Sequence, residues 1–294
     1  MDDLIDQTVT SQISEIADFE KEQIIFCQNI DITNSKDKPS QVALLLTECQ
    51  IRVFKKKSMF KKNYFLKSQF PLYQLISINY TDPDQFSLTF TQSKIQMFGQ
   101  NAYTCVSLLY HHLLEVRIAD DMPIIQFDPN TLPTIPQQID NIREKDRLLI
   151  KRLRFKAFEY NEILPQDFFN TITKYFYRMN LFEDIDTTFD FRNLLGYPKS
   201  FDAVLYCLID KTSIRTLILP QNPHKTHWKS LGTLLKYNAN ITEIETMEQP
   251  DETIKDFIDM IVSNKNLKLT IKKYIVSMNI DSVVLNMTNT LSHI

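Results

Sequence analysis

Between Arg52 and Lys67 the chain carries Arg52, Lys55, Lys56, Lys57, Lys61, Lys62 and Lys67 without one acidic residue, and Met59 and Phe60 sit among the lysines. Ammonium groups around an apolar pair suit an anionic membrane surface. Each basic group held near such a surface contributes about 1 kcal/mol, and an aromatic such as Phe60 can enter the interface. Salt weakens the attraction. The candidate membrane-contact set is therefore Arg52, Lys55, Lys56, Lys57, Met59, Phe60, Lys61 and Lys62. The same residues also read as a solvated hairpin whose lysines keep an edge strand from pairing with other chains. Nucleic acid fits less well, because the whole chain has a net charge of −3 and lacks the basic footprint of such binders.

Other residues that could do chemistry do not assemble. Arg143, Lys145, Arg147, Lys151, Arg152, Arg154 and Lys156 form a second basic cluster, but Glu144 and Asp146 lie within it, as on a solvated helix. His111 and His112 have no carboxylate at metal-ligand spacing. His224 and His227 are two ligands short of a zinc site. Acidic pairs such as Asp184 and Asp186 have no convergent partner. Nucleophile-elbow, zincin, phosphate-loop and dinucleotide fingerprints are missing, and only three glycines are present. Cys27, Cys49, Cys105 and Cys207 show no C-x-x-C spacing and read as small buried hydrophobes. The expectation is a non-catalytic protein with no catalytic residue, no metal and no cofactor.

These residues need a frame. A chain of 294 residues, 43% hydrophobic and 23% charged, has the composition of an ordinary globular protein long enough for about two domains. No apolar run approaches the ~18–20 residues of a membrane span. The start, Met1-Asp2-Asp3-Leu4-Ile5-Asp6, is acidic where a targeting peptide is basic. The expected location is cytoplasmic, with peripheral plasma-membrane contact.

The spacing predicts five segments. Residues 1–21 form an acidic leader, a short helix or loose chain. Residues 22–120 hold short apolar runs, among them Ile24–Phe26, Val42–Leu46, Ile51–Phe54, Tyr64–Leu66, Leu75–Ile78 and Phe86–Phe90, separated by turn-formers. Such runs read as antiparallel strands. Ala102, Val106, Leu109, Leu113 and Val116 then mark one amphipathic helix, and strands closed by one helix suggest a small plugged β-barrel. Residues 121–138, with Pro123, Pro129, Pro133 and Pro136, read as a linker. Residues 139–185 read as a helical connector.

Residues 186–294 carry an internal repeat. Phe201, Val204, Leu205 and Leu208 recur as Trp228, Leu231, Gly232 and Leu235, then as Ile254, Phe257, Ile258 and Ile261, then as Ile280, Val283, Val284 and Met287. Apolar strand starts follow at Ile214, Ile241 and Leu267. Ile214–Leu219 fits L-x-x-L-x-L, whereas Thr246 breaks that pattern in the second unit and Asn222 only loosely supplies the usual asparagine. One strand and one helix per 26 or 27 residues predicts a leucine-rich-repeat arc of about four degenerate units. Stacked units share a core that none could form alone, and partners bind the exposed strand positions. Here those are Arg215, Thr216, Ile218, Thr242, Glu243 and Glu245. A repeat array also needs a polar cap at its open end, so surface after Leu267 is expected to remain apolar.

Two stretches carry a family resemblance. Val42–Phe54 is similar to the "LVLT…R-V-F" strand pair of the pleckstrin-homology (PH)-like domain in the capping-protein, Arp and myosin-I linker (CARMIL) family. Asp190-Phe191-Arg192-Asn193-Leu194, followed by Phe201 to Leu208, resembles the "D-F-x-x-L" lead-in to that family's first repeats. The resemblance implies a PH-like barrel, a helical connector and a short leucine-rich-repeat solenoid, corresponding to the front of a family member. It implies a membrane-proximal adaptor in actin-cytoskeleton regulation, with a protein partner on the repeats. Capping-protein binding does not transfer, because the tail motif is absent, and the closing helix lacks the usual tryptophan. The loop between the first two strands offers only Lys36 and Lys38 for inositol phosphates. The alternative is a structural subunit of a larger complex that is indifferent to lipid.

Overall fold

The computed structural model describes residues 5–13, 22–33, 39–58, 61–82, 85–126, 142–162, 164–181, 187–194, 198–211, 213–219, 227–246 and 254–273. The chain divides into two compact units, 1–139 and 140–294.

In the first unit, β1 (Ile24–Thr33), β2 (Ser40–Thr47), β3 (Gln50–Ser58), β4 (Lys61–Pro71), β5 (Leu75–Asp82), β6 (Gln85–Phe90) and β7 (Ser93–Phe98) precede a helix and a last short strand, β8 (Ile124–Gln126). They make one sheet ordered β4-β3-β2-β1-β7-β6-β5-β8. Neighbours are antiparallel except β5 and β8, which run parallel. The strands form because apolar residues alternate. Phe86, Leu88 and Phe90 on β6 and Ile95 and Met97 on β7 are buried. Phe86 rests on Tyr103 of α2 (Gln100–Val116), with ring centroids 5.9 Å apart. That helix buries Ala102, Val106, Leu109 and Leu113, and it starts after Gly99, whose φ of +87° suits glycine best. Arg117 closes its other end, donating to the carbonyls of Leu72 (2.7 Å) and Leu75 (3.3 Å).

The sheet is not the closed barrel expected from the sequence. Its end strands β4 and β8 are not neighbours. The free edge of β5 is occupied by β8, with Ser77, Ile78 and Asn79 in register with Ile124, Ile125 and Gln126. Three residues assigned to the proline-rich linker are thus a strand. Within the acidic leader, α1 (Gln7–Ile13) packs on the sheet, burying Val9 and Ile13 against Cys27, Ala43, Leu45, Phe54 and Tyr64.

The second unit contains α3 (Ile142–Glu159), α4 (Gln166–Leu181), β9 (Thr187–Asp190), α5 (Pro198–Cys207), β10 (Ile214–Ile218), α6 (His227–Tyr237), β11 (Glu243–Thr246), α7 (Ile254–Val262) and β12 (Thr270–Lys273). The four strands are parallel, in the order β12-β11-β10-β9. Strand and helix alternate, but the leucine-rich-repeat solenoid is not the architecture. Instead a short parallel sheet follows two lead-in helices that belong to its core. Leu149, Leu153, Phe155 and Ala157 of α3 are buried, and α3 packs on both α4 and α5. The basic helix of the sequence is therefore a core element. Arg152 bonds Asp210 at 2.5 Å, and Lys156 lies over the Tyr206 ring, 4.0 Å from its centroid. The expected fourth helix, from Ile280 to Met287, and Asn222 lie outside the described residues.

Candidate functional site

Two surfaces gather the residues singled out above. The first is the β3–β4 hairpin. Pairing of β3 with β2 ends at Phe54, opposite Ala43. Beyond it, Lys55 pairs with Phe65, Lys56 with Tyr64 and Ser58 with Lys61. The hairpin thus runs on as a two-stranded arm at the edge of the sheet. A register shift between Val53 and Phe54 inserts Lys67 as the extra residue of a bulge, a common device at sheet edges. Lys55, Lys56 and Lys67 are exposed. So are Phe65 at 38% and Leu66 at 40%, two members of the apolar run Tyr64–Leu66. Alternation along a strand accounts for the exposure of one of the two; the other is exposed because the arm here runs beyond the pairing of β3 with β2.

Arg52 does not join the arm. Its Nη2 donates to Glu22 Oε1 at 2.7 Å, and the two side chains are only 13% and 11% accessible. Gln50 Nε2 also donates to that oxygen at 2.7 Å, and the Thr47 hydroxyl donates to the second carboxylate oxygen. Glu22 therefore draws the guanidinium to the β2–β3 turn. Lys57, Lys61 and Lys62 lie on the arm's backbone, whereas Met59 and Phe60 lie outside the described residues.

The second surface is the outward side of the parallel sheet. Leu217 and Ile244 are fully buried, and Phe189 nearly so, in register with one another across β9, β10 and β11. The residues between them point the other way. Thr188, Thr216 and Glu243 form one transverse row, and Asp190, Ile218 and Glu245 form the next. The Thr216 hydroxyl donates to Glu243 Oε2 at 3.2 Å, and Arg215 Nη1 donates to the Asn240 carbonyl at 3.1 Å. Thr242 is exposed beside them. Of the six residues expected on this surface, Thr216, Ile218, Glu243 and Glu245 stand in these two rows; Arg215, at a register irregularity, and Thr242 stand next to them along the strands and not in the rows. Thr188 and Asp190 extend the rows, and their place became visible only once β9 paired in register.

Among the described residues, no three His, Cys, Asp or Glu side chains gather where they could hold a metal ion. His112 Nε2 lies 2.8 Å from the Glu48 carbonyl oxygen, which ties α2 to the sheet. Burial pushes the Cys105 and Cys207 thiols up to about 12; at Cys207 the Arg152 and Lys156 charges oppose the rise. Among the described residues, no helix is long and apolar enough to cross a membrane.

No protein-family model matches the chain, and no curated protein does. Solved structures similar to part of it include the linker–DH/PH domains of p115-RhoGEF, at 17% identity and a TM-score of 0.30, covering 36% of this chain and 34% of that one. Autoinhibited Vav1 is similar at 12% identity and a TM-score of 0.30, covering 38% and 23%. The C-terminal domain of an unknown protein from Leishmania infantum follows at 12% identity and 0.26, covering 35% and 94%. The chain thus spans between 23% and 40% of the exchange-factor structures it matches, and no function is transferred from them.

Proposed function

We propose that this chain is a non-catalytic, membrane-proximal adaptor. The β3–β4 arm contacts an anionic membrane surface, and the outward side of the parallel sheet takes a protein partner. One observation supports the membrane half most directly: beyond Phe54, among the described residues, β3 pairs only with β4, and the arm exposes Lys55, Lys56, Phe65, Leu66 and Lys67. Cations and apolar side chains on one projecting ribbon match the two attractions that a charged bilayer offers. The actin-cytoskeleton setting rests on the two resembling stretches alone.

Co-sedimentation with phosphatidylserine–phosphatidylcholine vesicles tests the proposal. The chain is expected to pellet with anionic vesicles, to be released by salt, and to ignore pure phosphatidylcholine. Changing Lys55, Lys56, Lys57, Lys61 and Lys62 together to Ala should abolish pelleting. Equal binding by this variant would refute the arm as the contact. No binding by the unsubstituted chain would favour a lipid-indifferent subunit of a larger complex.

A further inference from the structure

The helix α1 spans only seven residues, Gln7–Ile13, well short of the ~12–15 at which an isolated helix becomes even marginal in water. Its order comes from a few contacts. Asp6 Oδ1 accepts from the Thr8 and Val9 amides at 2.9 and 3.1 Å, capping the helix. The Asp6 amide donates to the Cys27 carbonyl at 2.9 Å. Val9 and Ile13 then enter a small cluster with Cys27, Ala43, Leu45, Phe54 and Tyr64. On β1 Cys27 alternates with Phe26, Ile30 and Ile32; Ile32 stands in register with Met97, and Met97 with Phe86, which rests on Tyr103 of α2, so α1 lies on the face of the sheet opposite α2. Among the described residues, α1 pairs with no strand, and its main packing is on β4 and β1. Such an element opens at lower cost than the fold as a whole.

Two members of the cluster stand at the root of the arm. Phe54 is the last residue of β3 paired with β2, and Tyr64 faces Lys56 across the hairpin. Tyr64 is 2% exposed. Its hydroxyl lies 3.4 Å from Asn29 Oδ1, and Lys56 Nζ is 5.6 Å from its ring centroid. A two-stranded ribbon alone is at best marginally stable, so the order of the arm depends on how firmly its root is held. We infer that α1 is a releasable strap: docked, it pins Tyr64 and Phe54 and holds the arm in one pose; released, it lets the arm fray. The lipid consequence rests on the proposed function, but the strap itself does not.

The fully buried Cys27 beneath α1 is a built-in reporter. Iodoacetamide labelling of the full chain, read by mass spectrometry, should modify Cys27 faster than Cys105, which lies in the α2 core of the same unit. Equal rates would overturn the strap. Ile13→Asp, or the milder Val9→Ala with Ile13→Ala, should speed Cys27 labelling about tenfold or more, with Cys105 still protected. Amide exchange at Lys55, Lys56 and Tyr64–Leu66 should rise with it. Faster Cys27 labelling with unchanged exchange in the arm would overturn the coupling, as would joint exposure of Cys27 and Cys105 in the milder variant. In the vesicle assay the same variants should bind less. If the unsubstituted chain binds no vesicles, the proposed function fails, while labelling and exchange still decide the strap.

Discussion

Asn238 and Asn264 do the same work one structural unit apart. Asn238 Nδ2 donates to the carbonyls of Leu208 (3.1 Å) and Lys211 (2.8 Å), and its Oδ1 accepts from the Asn240 amide at 3.0 Å. Asn264 Nδ2 donates to the Leu235 carbonyl at 2.7 Å, and its Oδ1 accepts from the Asn266 amide at 3.2 Å. Asn238 thus reaches carbonyls just past α5, and Asn264 reaches one in the last turn of α6, where a helix leaves acceptors open to side chains. Asn238 is buried, so Asn238→Ala should cost about 1–3 kcal/mol in urea unfolding, with Asn264→Ala, which loses a partly buried bond, costing less. The signal lay in the chain as Asn238-Ala239-Asn240-Ile241 and Asn264-Lys265-Asn266-Leu267, but only the structure shows which carbonyls each amide reaches. Asp190 adds a pH dependence. Hydrogen bonds from the Arg192 guanidinium at 2.7–3.2 Å hold its carboxyl below the ordinary range, partly opposed by burial. A depressed carboxylate stabilises the fold above its unfolded pKa of ~3.9, and that contribution is lost as pH falls through the lower folded value. Thermal melts between neutral pH and pH 3 should therefore lose less stability for Asp190→Asn than for the unsubstituted chain.

Among the elements, α6 and α7 approach one another at Gly232. A Cβ built there would lie 3.0 Å from Met260 Sδ and 3.3 Å from the Phe257 Cα. The sulfur can swing away, but Met260 Cβ at 3.2 Å and the Phe257 backbone cannot. Gly232→Ala is nonetheless expected to be mild, because alanine favours the helix. Gly232→Val should cost about 1–3 kcal/mol by overpacking, measured as a loss in denaturant midpoint with an unchanged slope. The sequence placed Gly232 in a slot otherwise held by apolar residues, and the close approach supplies the reason. The α2 stripe was equally legible, since Ala102, Val106, Leu109, Leu113 and Val116 repeat at helical spacing and are all buried. Strand β8 was not. Pro123 and the prolines beyond it suggested a linker, and the pairing that makes Ile124–Gln126 a strand is with β5, more than forty residues earlier.

At the scale of the whole molecule, each unit has its own sheet and its own buried side chains. Fragments 1–139 and 140–294 should therefore each unfold cooperatively when expressed alone, as seen by circular dichroism in urea. A fragment that stays unstructured would show that its core needs the other unit. The sequence by itself determined the local periods: alternation along β6 and β7, the stripe of α2, and the recurrence of strand and helix after Thr187. Those patterns follow from which neighbouring side chains must share a face, and neighbours are fixed by covalent order. Only the tertiary structure decided how the edges are used and where the charges go. It put β8 on the edge that a barrel would have closed, Glu22 on Arg52, and α3 inside a core rather than on a solvated face. Each of these outcomes is a competition between partners distant along the chain, and the local pattern is the same whichever partner wins.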